Sequence, residues 1–244
     1  MSSNSKAKAR AEKAAAERAA QAQRESRRRI FTIVGVLGVM VLIVGGSILV
    51  SVLNKEEVKA VGAGSSDYGV TIGDPDAPHS VIVYEDFLCP FCGQLESATR
   101  ADFEKLAADG KVFVEYRPFD LLSQSFGDYP IRAASAFALV LEKSGPEVAK
   151  KFHDLLYENQ PSEEAPDSVS DDDLVDLAVE AGATESDVRD GIESVSHKDW
   201  VTAATAEADK AGIRGTPTVL LDGEVYQDGR TIQDLAKNLV AELG

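Results

Sequence analysis

The chain has 244 residues, and its 25 Lys and Arg against 41 Asp and Glu give a formal net charge of −16. The charge is divided unevenly, because residues 1–29 carry a net charge of +6 and the remainder of the chain carries −22. A folded part this acidic would repel the phosphates that supply most of the binding energy for nucleic acid, so nucleic acid is excluded as a partner.

The N-terminal part of the chain predicts a membrane anchor. Residues 1–29 are rich in Ala, Lys, Arg, Glu and Gln and have no apolar face, which indicates a solvated tail. Residues 30–53 contain no charged side chain, and a helix of this length spans about 36 Å, enough to cross a bilayer. The stretch is too long for the apolar part of a cleaved signal peptide, so we expect an uncleaved signal anchor.

The flanking charges predict the orientation of this anchor. Three consecutive arginines end at Arg29, immediately before the apolar stretch, whereas residues 55–57 after it have no excess of positive charge. The positive-inside rule then puts the basic tail in the cytoplasm and everything after residue 53 outside the cell membrane. Residues 54–66 contain Gly, Ala and Ser and indicate a short linker, so we expect one extracytoplasmic domain at 67–244.

The patterns within this domain predict an α/β fold. The apolar run Val81–Tyr84 is typical of a buried strand, and apolar side chains at steps of three and four then indicate a helix that ends at Gly110. The side chains of residues 111–119 alternate between two faces, which is typical of a strand. From about 126 to 212 the pattern is that of four or five amphipathic helices, and a hairpin at 218–226 and a final helix follow. The order predicts a thioredoxin-like α/β fold with a helical insertion at about 126–212.

The chain's two cysteines, Cys89 and Cys92, lie where the predicted strand passes into the predicted helix. This layout is typical of a thiol–disulfide redox centre. At the start of a helix, free N–H groups and the positive end of the dipole favour an anion, and Pro90 suits the first helical position. We therefore predict that Cys89 is an exposed nucleophile with a lowered pKa and that Cys92 faces inward as its resolving partner.

Other interpretations of the cysteine pair are weaker. A permanent disulfide across so short a loop would restrain the unfolded chain little. A zinc site usually needs four ligands, and His79, His153 and His197 are scattered along the chain, so we interpret them as ordinary surface or capping residues and expect neither a metal nor another cofactor. A binding module, in which an anchored chaperone-like domain carries incidental cysteines, is the alternative of a different class.

Three segments resemble the DsbA-like thiol:disulfide oxidoreductases, in particular the membrane-anchored members of Gram-positive bacteria, actinobacteria among them: Phe87–Cys92, Phe152–Gln160 and Gly215–Thr218. The resemblance covers about residues 67–244 and implies a thioredoxin fold with a helical insertion. It implies that Pro217 is cis and packs against the dithiol, and that Thr216 presents its backbone to an extended substrate peptide. With Pro90 and Phe91, these residues are the expected substrate-binding set.

The same resemblance implies that the substrates are exported cysteine-containing proteins. An oxidising compartment favours oxidation of their cysteine pairs. A quinone-linked membrane oxidase, similar to vitamin K epoxide reductase, is then the expected reoxidant. A disulfide reductase or isomerase in the same compartment is the alternative within redox chemistry.

One position departs from the family pattern. Many relatives carry a buried carboxylate six residues before the first cysteine, where it assists proton transfer, and this chain has Val83 there. Glu85 and Asp86 lie nearer to the cysteines. Either water or Glu85 is left as the proton acceptor for Cys92.

Overall fold

The computed structural model describes residues 58–244, which belong to one compact unit. The predicted tail at 1–29, the predicted transmembrane helix at 30–53 and the first residues of the predicted linker lie outside the described residues. Within 58–244, no helix has the length and apolar character needed to cross a membrane.

A five-stranded sheet forms the centre of the domain, with the order β1-β3-β2-β4-β5. Strands β2 and β3 are parallel, and the other neighbouring pairs are antiparallel. The strands are β1 (Val70–Ile72), β2 (His79–Glu85), β3 (Val112–Pro118), β4 (Thr218–Leu221) and β5 (Glu224–Val225).

Eight α-helices and one 3₁₀ helix at Pro166–Ser168 surround this sheet in the described part of the chain. Helices α2 to α7 lie between β3 and β4 and form the helical insertion. The α-helices are α1 (Pro90–Ala108), α2 (Ser123–Phe126), α3 (Tyr129–Ser144), α4 (Pro146–Glu158), α5 (Asp171–Ala181), α6 (Glu185–Glu193), α7 (Lys198–Lys210) and α8 (Ile232–Leu243).

Strand β2 is buried on both faces, which explains its uninterrupted apolar run. Val81 and Val83 belong to the larger core, formed with α1, α3, α4 and α8. Ile82 and Tyr84 point to the opposite face and pack in a smaller core with residues of α7. The carboxyl end of β2 therefore leads directly from the middle of the molecule to Cys89.

The end of the predicted linker contacts the domain. Lys59 donates its N–H to the carbonyl of Ala211 at 2.9 Å, and Gly64 donates its N–H to a carboxylate oxygen of Glu115 at 2.7 Å. Arg117, itself buried, donates to the carbonyl of Gly62 at 2.9 Å. Residues 58–66 are thus held on the face of the sheet that packs against α7.

Candidate active site

Cys89 is the residue that precedes helix α1, and Pro90 begins the helix. The Cys89 carbonyl accepts the N–H groups of Cys92 and Gly93, at 3.0 and 3.2 Å, and so closes the first helical turn. Pro90 has no N–H to leave unpaired in that turn. The turn brings the two cysteines to the same side of the helix, where both are free thiols.

The expectation that Cys89 is exposed is wrong, because only 5 % of the residue is accessible. Its Sγ lies 3.4 Å from the carbonyl oxygen of Thr216, which approaches the sulfur from the start of β4. The neighbouring Phe91 is instead 55 % exposed. Cys92 is 1 % exposed and lies in the core, in agreement with the inward-facing position expected for it.

The pKa values of the two thiols are shifted in opposite directions. The pKa of Cys89 is lowered to about 6, chiefly by a hydrogen bond from the Cys92 thiol. Burial opposes this lowering. Hydrogen bonds from the Thr216 side chain and from backbone N–H groups lower the pKa further. Burial raises the pKa of Cys92 well above its ordinary value, and Cys89 and the charge of Glu85 raise it further. At neutral pH the pair is therefore a Cys89 thiolate beside a Cys92 thiol.

A groove of about 420 Å³ opens beside the thiols. Of the predicted substrate-binding residues, Phe91, Thr216 and Pro217 line it, and Pro90 is exposed at the adjacent helix start. The Thr216–Pro217 peptide bond is cis, as the resemblance implied. The remaining lining residues are Gln227, Gly229, Arg230, Thr231, Ile232 and Leu235.

Asp86 fixes the loop that carries Cys89. One of its carboxylate oxygens accepts the N–H of Leu88 at 2.8 Å, and the other accepts those of Leu121 and Leu122 at 2.8 and 3.0 Å. Burial raises the pKa of Asp86 to about 6, and these three backbone hydrogen bonds oppose the rise. The sequence pattern identified no role for Asp86, because its partners at 121–122 belong to a distant loop.

Gln160 fixes the same loop from the other side. Its Nε2 donates to the carbonyl of Phe87 at 2.9 Å and to that of Cys89 at 3.0 Å. Its Oε1 lies so close to Gly93 that a Cβ added there would approach it to 2.5 Å. Gln160 therefore clamps the backbone of the cysteine loop, and Gly93 leaves room for the clamp.

The interpretation of His153 as a surface or capping residue is wrong. The side chain is fully buried in the larger core, and its Nε2 lies 2.6 Å from Oε1 of Glu85, which is 1 % exposed. Burial lowers the pKa of His153, but the charge of Glu85 and hydrogen bonds with Asp154 and Glu85 outweigh it and raise the pKa to about 9. His79 and His197 pair with acids near the surface, as expected for ordinary histidines.

Glu96, His153 and Asp154 bring three possible metal-ligating atoms within 4.8 Å of one another. Two cationic side chains already occupy this cluster. Arg100 donates to Glu96 at 2.9 Å, and the Lys150 ammonium pairs with both Asp154 and Glu96. The donor set is therefore built as a buried ion-pair network in which lysine and arginine supply the positive charge.

Residues 65–240 match the family model described as Thioredoxin. The structure is similar to the reduced form of the disulfide bond oxidoreductase DsbG from Mycobacterium tuberculosis, with 30% identity and a TM-score of 0.62 over 75% of this chain and 87% of that chain. It is also similar to DsbA from the same organism, with 29% identity and a TM-score of 0.60 over 72% and 90% of the two chains. The chain belongs to the thioredoxin family. It is a DsbA-like thiol:disulfide oxidoreductase.

Curated relatives of this oxidoreductase are of two kinds. A probable disulfide bond formation protein D of Bacillus cereus is 25% identical over 194 residues, which cover 78% of this chain and 87% of that protein. The serine/threonine-protein kinase PknE of Mycobacterium tuberculosis is 28% identical over 170 residues, or 66% of this chain. The chain spans only about 30% of the length of that kinase.

Proposed function

We propose that this oxidoreductase oxidises cysteine pairs in exported proteins, from a position on the outer side of the cell membrane. The uncharged stretch at 30–53 and the arginines before it support a single membrane span with a cytoplasmic N-terminus. The Bacillus cereus relative, named for disulfide bond formation, supports the substrate class. The observation that carries the direction of the reaction is the stabilised thiolate of Cys89 beside the buried thiol of Cys92.

The first step breaks the Cys89–Cys92 disulfide. A substrate thiolate attacks Sγ of Cys89 and forms a mixed disulfide, and Cys92 leaves with the electron pair. Because Cys92 is buried and its pKa is raised, the leaving thiolate takes up a proton. The low pKa of Cys89 assists its own departure in the second step, because a thiol of lower pKa leaves faster.

The second step releases the product. The substrate's other thiol loses its proton, and its thiolate attacks the substrate sulfur of the mixed disulfide. Cys89 departs as a thiolate, the substrate leaves with a new disulfide, and the enzyme retains the two electrons. Any interaction that stabilises the Cys89 thiolate stabilises the reduced enzyme and makes its disulfide a stronger oxidant. This relation favours oxidation over the reductase or isomerase alternatives.

The groove beside the dithiol suits an extended peptide. The backbone of Thr216 can pair with such a peptide in the manner of strand addition, and the exposed ring of Phe91 offers it an apolar contact. We propose Pro90, Phe91, Thr216 and Pro217 as the substrate-binding residues. The alternative of a chaperone-like module with incidental cysteines offers no reason for the opposed pKa values of Cys89 and Cys92.

The enzyme needs a second partner to regenerate its disulfide. We propose a quinone-linked membrane oxidase similar to vitamin K epoxide reductase, which would accept the two electrons. An anchor at 30–53 would hold both proteins in one membrane plane.

Trapping of mixed disulfides tests this function. In a Cys92→Ser variant of the full chain, the Cys89 thiolate still attacks the disulfide of an oxidised exported protein, which is the reverse of the second step. No second enzyme thiol is then present to displace the bound protein, so exported proteins with cysteine pairs should accumulate as mixed disulfides with Cys89. The Cys89→Ser/Cys92→Ser double variant is the matched control and should trap none. Recovery of cytoplasmic proteins alone would contradict the proposed compartment.

A further inference from the structure

The buried imidazole of His153 lies in a charged cluster directly behind the cysteine loop. Its Nε2 is 2.6 Å from Glu85, at the end of β2, and its Nδ1 is 3.0 Å from Asp154 and 3.9 Å from Glu96 of α1. The rings of Phe87, Tyr116, Phe137 and Tyr157 surround it. A histidine held between three carboxylates is an unusual occupant of an aromatic core, because burial alone favours the neutral form.

Apart from the exposed Glu158, which also pairs with Arg100, the charges in this cluster balance when His153 is protonated. Among residues 58–244, the carboxylates within 4 Å of the imidazole nitrogens are those of Glu85, Glu96 and Asp154. The cations bonded to them are Arg100 of α1 and Lys150 of α4. Without the imidazolium, the cluster would keep one uncompensated negative charge, which is costly in a buried site.

Tyrosines complete the titratable groups around His153. The centre of the Tyr116 ring, on β3, lies 4.7 Å from that of the imidazole, and burial is the main reason that its pKa is raised. Tyr157 of α4 packs against the imidazole and donates its hydroxyl to the backbone carbonyl of Asp86 at 3.3 Å. Both hydroxyls remain neutral when Cys89 ionises, so the imidazole is the group able to change charge at mildly alkaline pH.

The cluster also reaches the redox centre and the solvent. Glu85 is four residues before Cys89, and its charge acts on the Cys92 thiol. At the other end, the Asp154 side chain is 13 % exposed, and Arg100 pairs with the exposed Glu158. The cluster therefore meets water at Asp154 and Glu158, neither of which lines the substrate groove.

We propose that His153 is a positioning residue that couples proton binding to the redox state of the dithiol through Glu85. Reduction by a substrate dithiol places a thiolate on Cys89 and a proton on Cys92. The added negative charge favours the imidazolium, so the reduced enzyme holds a proton on His153 at pH values where the oxidised enzyme has released it. The Glu85–His153 pair would then supply a proton-binding group close to the dithiol, where position 83 offers only valine.

This coupling adds a proton to the overall reaction over a limited pH range. Reduction of the disulfide takes up two electrons and one proton to give the Cys89 thiolate and the Cys92 thiol. His153 has one titration midpoint in the oxidised enzyme and a higher one in the reduced enzyme. At pH values between them, reduction also transfers up to one further proton from water to the imidazole. The proposal rests on thiol–disulfide exchange at Cys89 and Cys92, and it holds whichever direction the enzyme favours in the cell.

Histidine NMR of the full-length wild-type protein tests the coupling directly. The chain has three histidines, and His79→Gln and His197→Gln variants assign the two surface residues. We expect His153 to titrate at about 9 in the reduced protein and at a lower pH in the oxidised protein. The signals of His79 and His197 should not depend on the redox state. Identical midpoints for His153 in the two redox states would overturn the proposal, because a purely structural ion pair predicts that outcome.

Variants provide a second readout. The equilibrium of the dithiol with glutathione, measured against pH, should show an inflection from His153 in the wild type that is absent in His153→Gln and in Glu85→Gln. His197→Gln is the matched control and should keep it. If both His153→Gln and Glu85→Gln keep the wild-type pH profile, the proposal is wrong. If neither variant folds, the NMR titration of the wild-type protein decides. The absolute position of the equilibrium tests the direction of the reaction, whereas only its pH profile tests the coupling.

Discussion

At the scale of single residues, the reactivity of the site depends on how Cys89 is held. Its largest stabilising contact is the hydrogen bond from Cys92, and its place before the first turn of α1 adds backbone donors that a helix interior would lack. Only 5 % of the residue is nevertheless exposed. Substrate selection therefore depends on the adjacent groove as much as on the thiolate.

The Cys89 thiolate yields the first prediction. Replacing Cys92 by Ala removes the largest cause of the lowered pKa, so the pKa of Cys89 should rise from about 6 towards the ordinary 9.0. The change is measured by the ultraviolet absorbance of the thiolate, or by the alkylation rate, against pH. Thr216→Val should raise the pKa by less. An unchanged pKa in Cys92→Ala would show that the hydrogen bond between the thiols does not set the acidity of Cys89.

The clamp between Gly93 and Gln160 yields the second prediction. Alanine is normally better than glycine within a helix by up to about 1 kcal/mol. Here the added Cβ would displace an amide that holds two buried carbonyls, so Gly93→Ala should lower the free energy of unfolding by about 1–3 kcal/mol. In a Gln160→Ala background the same substitution should be neutral or stabilising. Denaturant unfolding of the four proteins of this double-mutant cycle measures the difference, and additive effects would contradict the clamp.

At the scale of elements, the helical insertion is joined to the sheet by polar contacts within the core. Helix α4 reaches the end of β2 through His153 and Glu85, and the segment after it reaches the cysteine loop through Gln160. These contacts join residues about 70 positions apart, and each is buried or partly buried. The insertion therefore shapes the redox centre as well as covering it.

The His153–Glu85 contact yields a prediction of pH-dependent stability. The folded-state pKa of His153, about 9, lies above the ordinary 6.5. Its contribution is therefore fully present below pH 6.5 and is lost as pH rises towards 9. In the reduced protein the Cys89 thiolate, whose pKa is lowered to about 6, contributes with the opposite sign over the same range. It is present in both proteins, so the wild type should lose stability relative to His153→Gln as pH rises from 6.5 to about 9. Denaturant unfolding at several pH values measures this, and parallel pH profiles would contradict the contribution.

The sequence predicted these elements well where the signal was local. The apolar run at 81–84, the alternation at 111–119 and the amphipathic helices after residue 126 each reflect a periodicity that survives in the fold. The helix-opening position of Cys89 and the inward position of Cys92 were predictable for the same reason. The low exposure of Cys89 was not, because it depends on Thr216, 127 positions further along the chain.

The residues that sequence reasoning missed act through long-range contacts. His153 lies on the apolar face of α4 beside Phe152 and Leu156, and that spacing was the available signal that it would be buried. Nothing local shows that Glu85 would be its partner, or that Asp86 would bind the backbone at 121–122. Buried polar groups need hydrogen-bonding partners, but the partners are chosen by the tertiary fold.

At the scale of the whole molecule, two sources of information agree on thiol–disulfide exchange. The family match covers residues 65–240, and the geometry places a stabilised thiolate, a buried partner thiol and a cis-proline groove in one site. The proposed anchor at 30–53 would place this site outside the cell membrane. The proposed direction, oxidation of exported proteins, then depends on the energetics of the dithiol.

The equilibrium of the full-length protein with glutathione at neutral pH tests this central claim most directly. A stabilised Cys89 thiolate predicts an oxidising couple, with a reduction potential above about −180 mV. A strongly reducing couple, near the roughly −270 mV of thioredoxin, would contradict the account and favour a reductase.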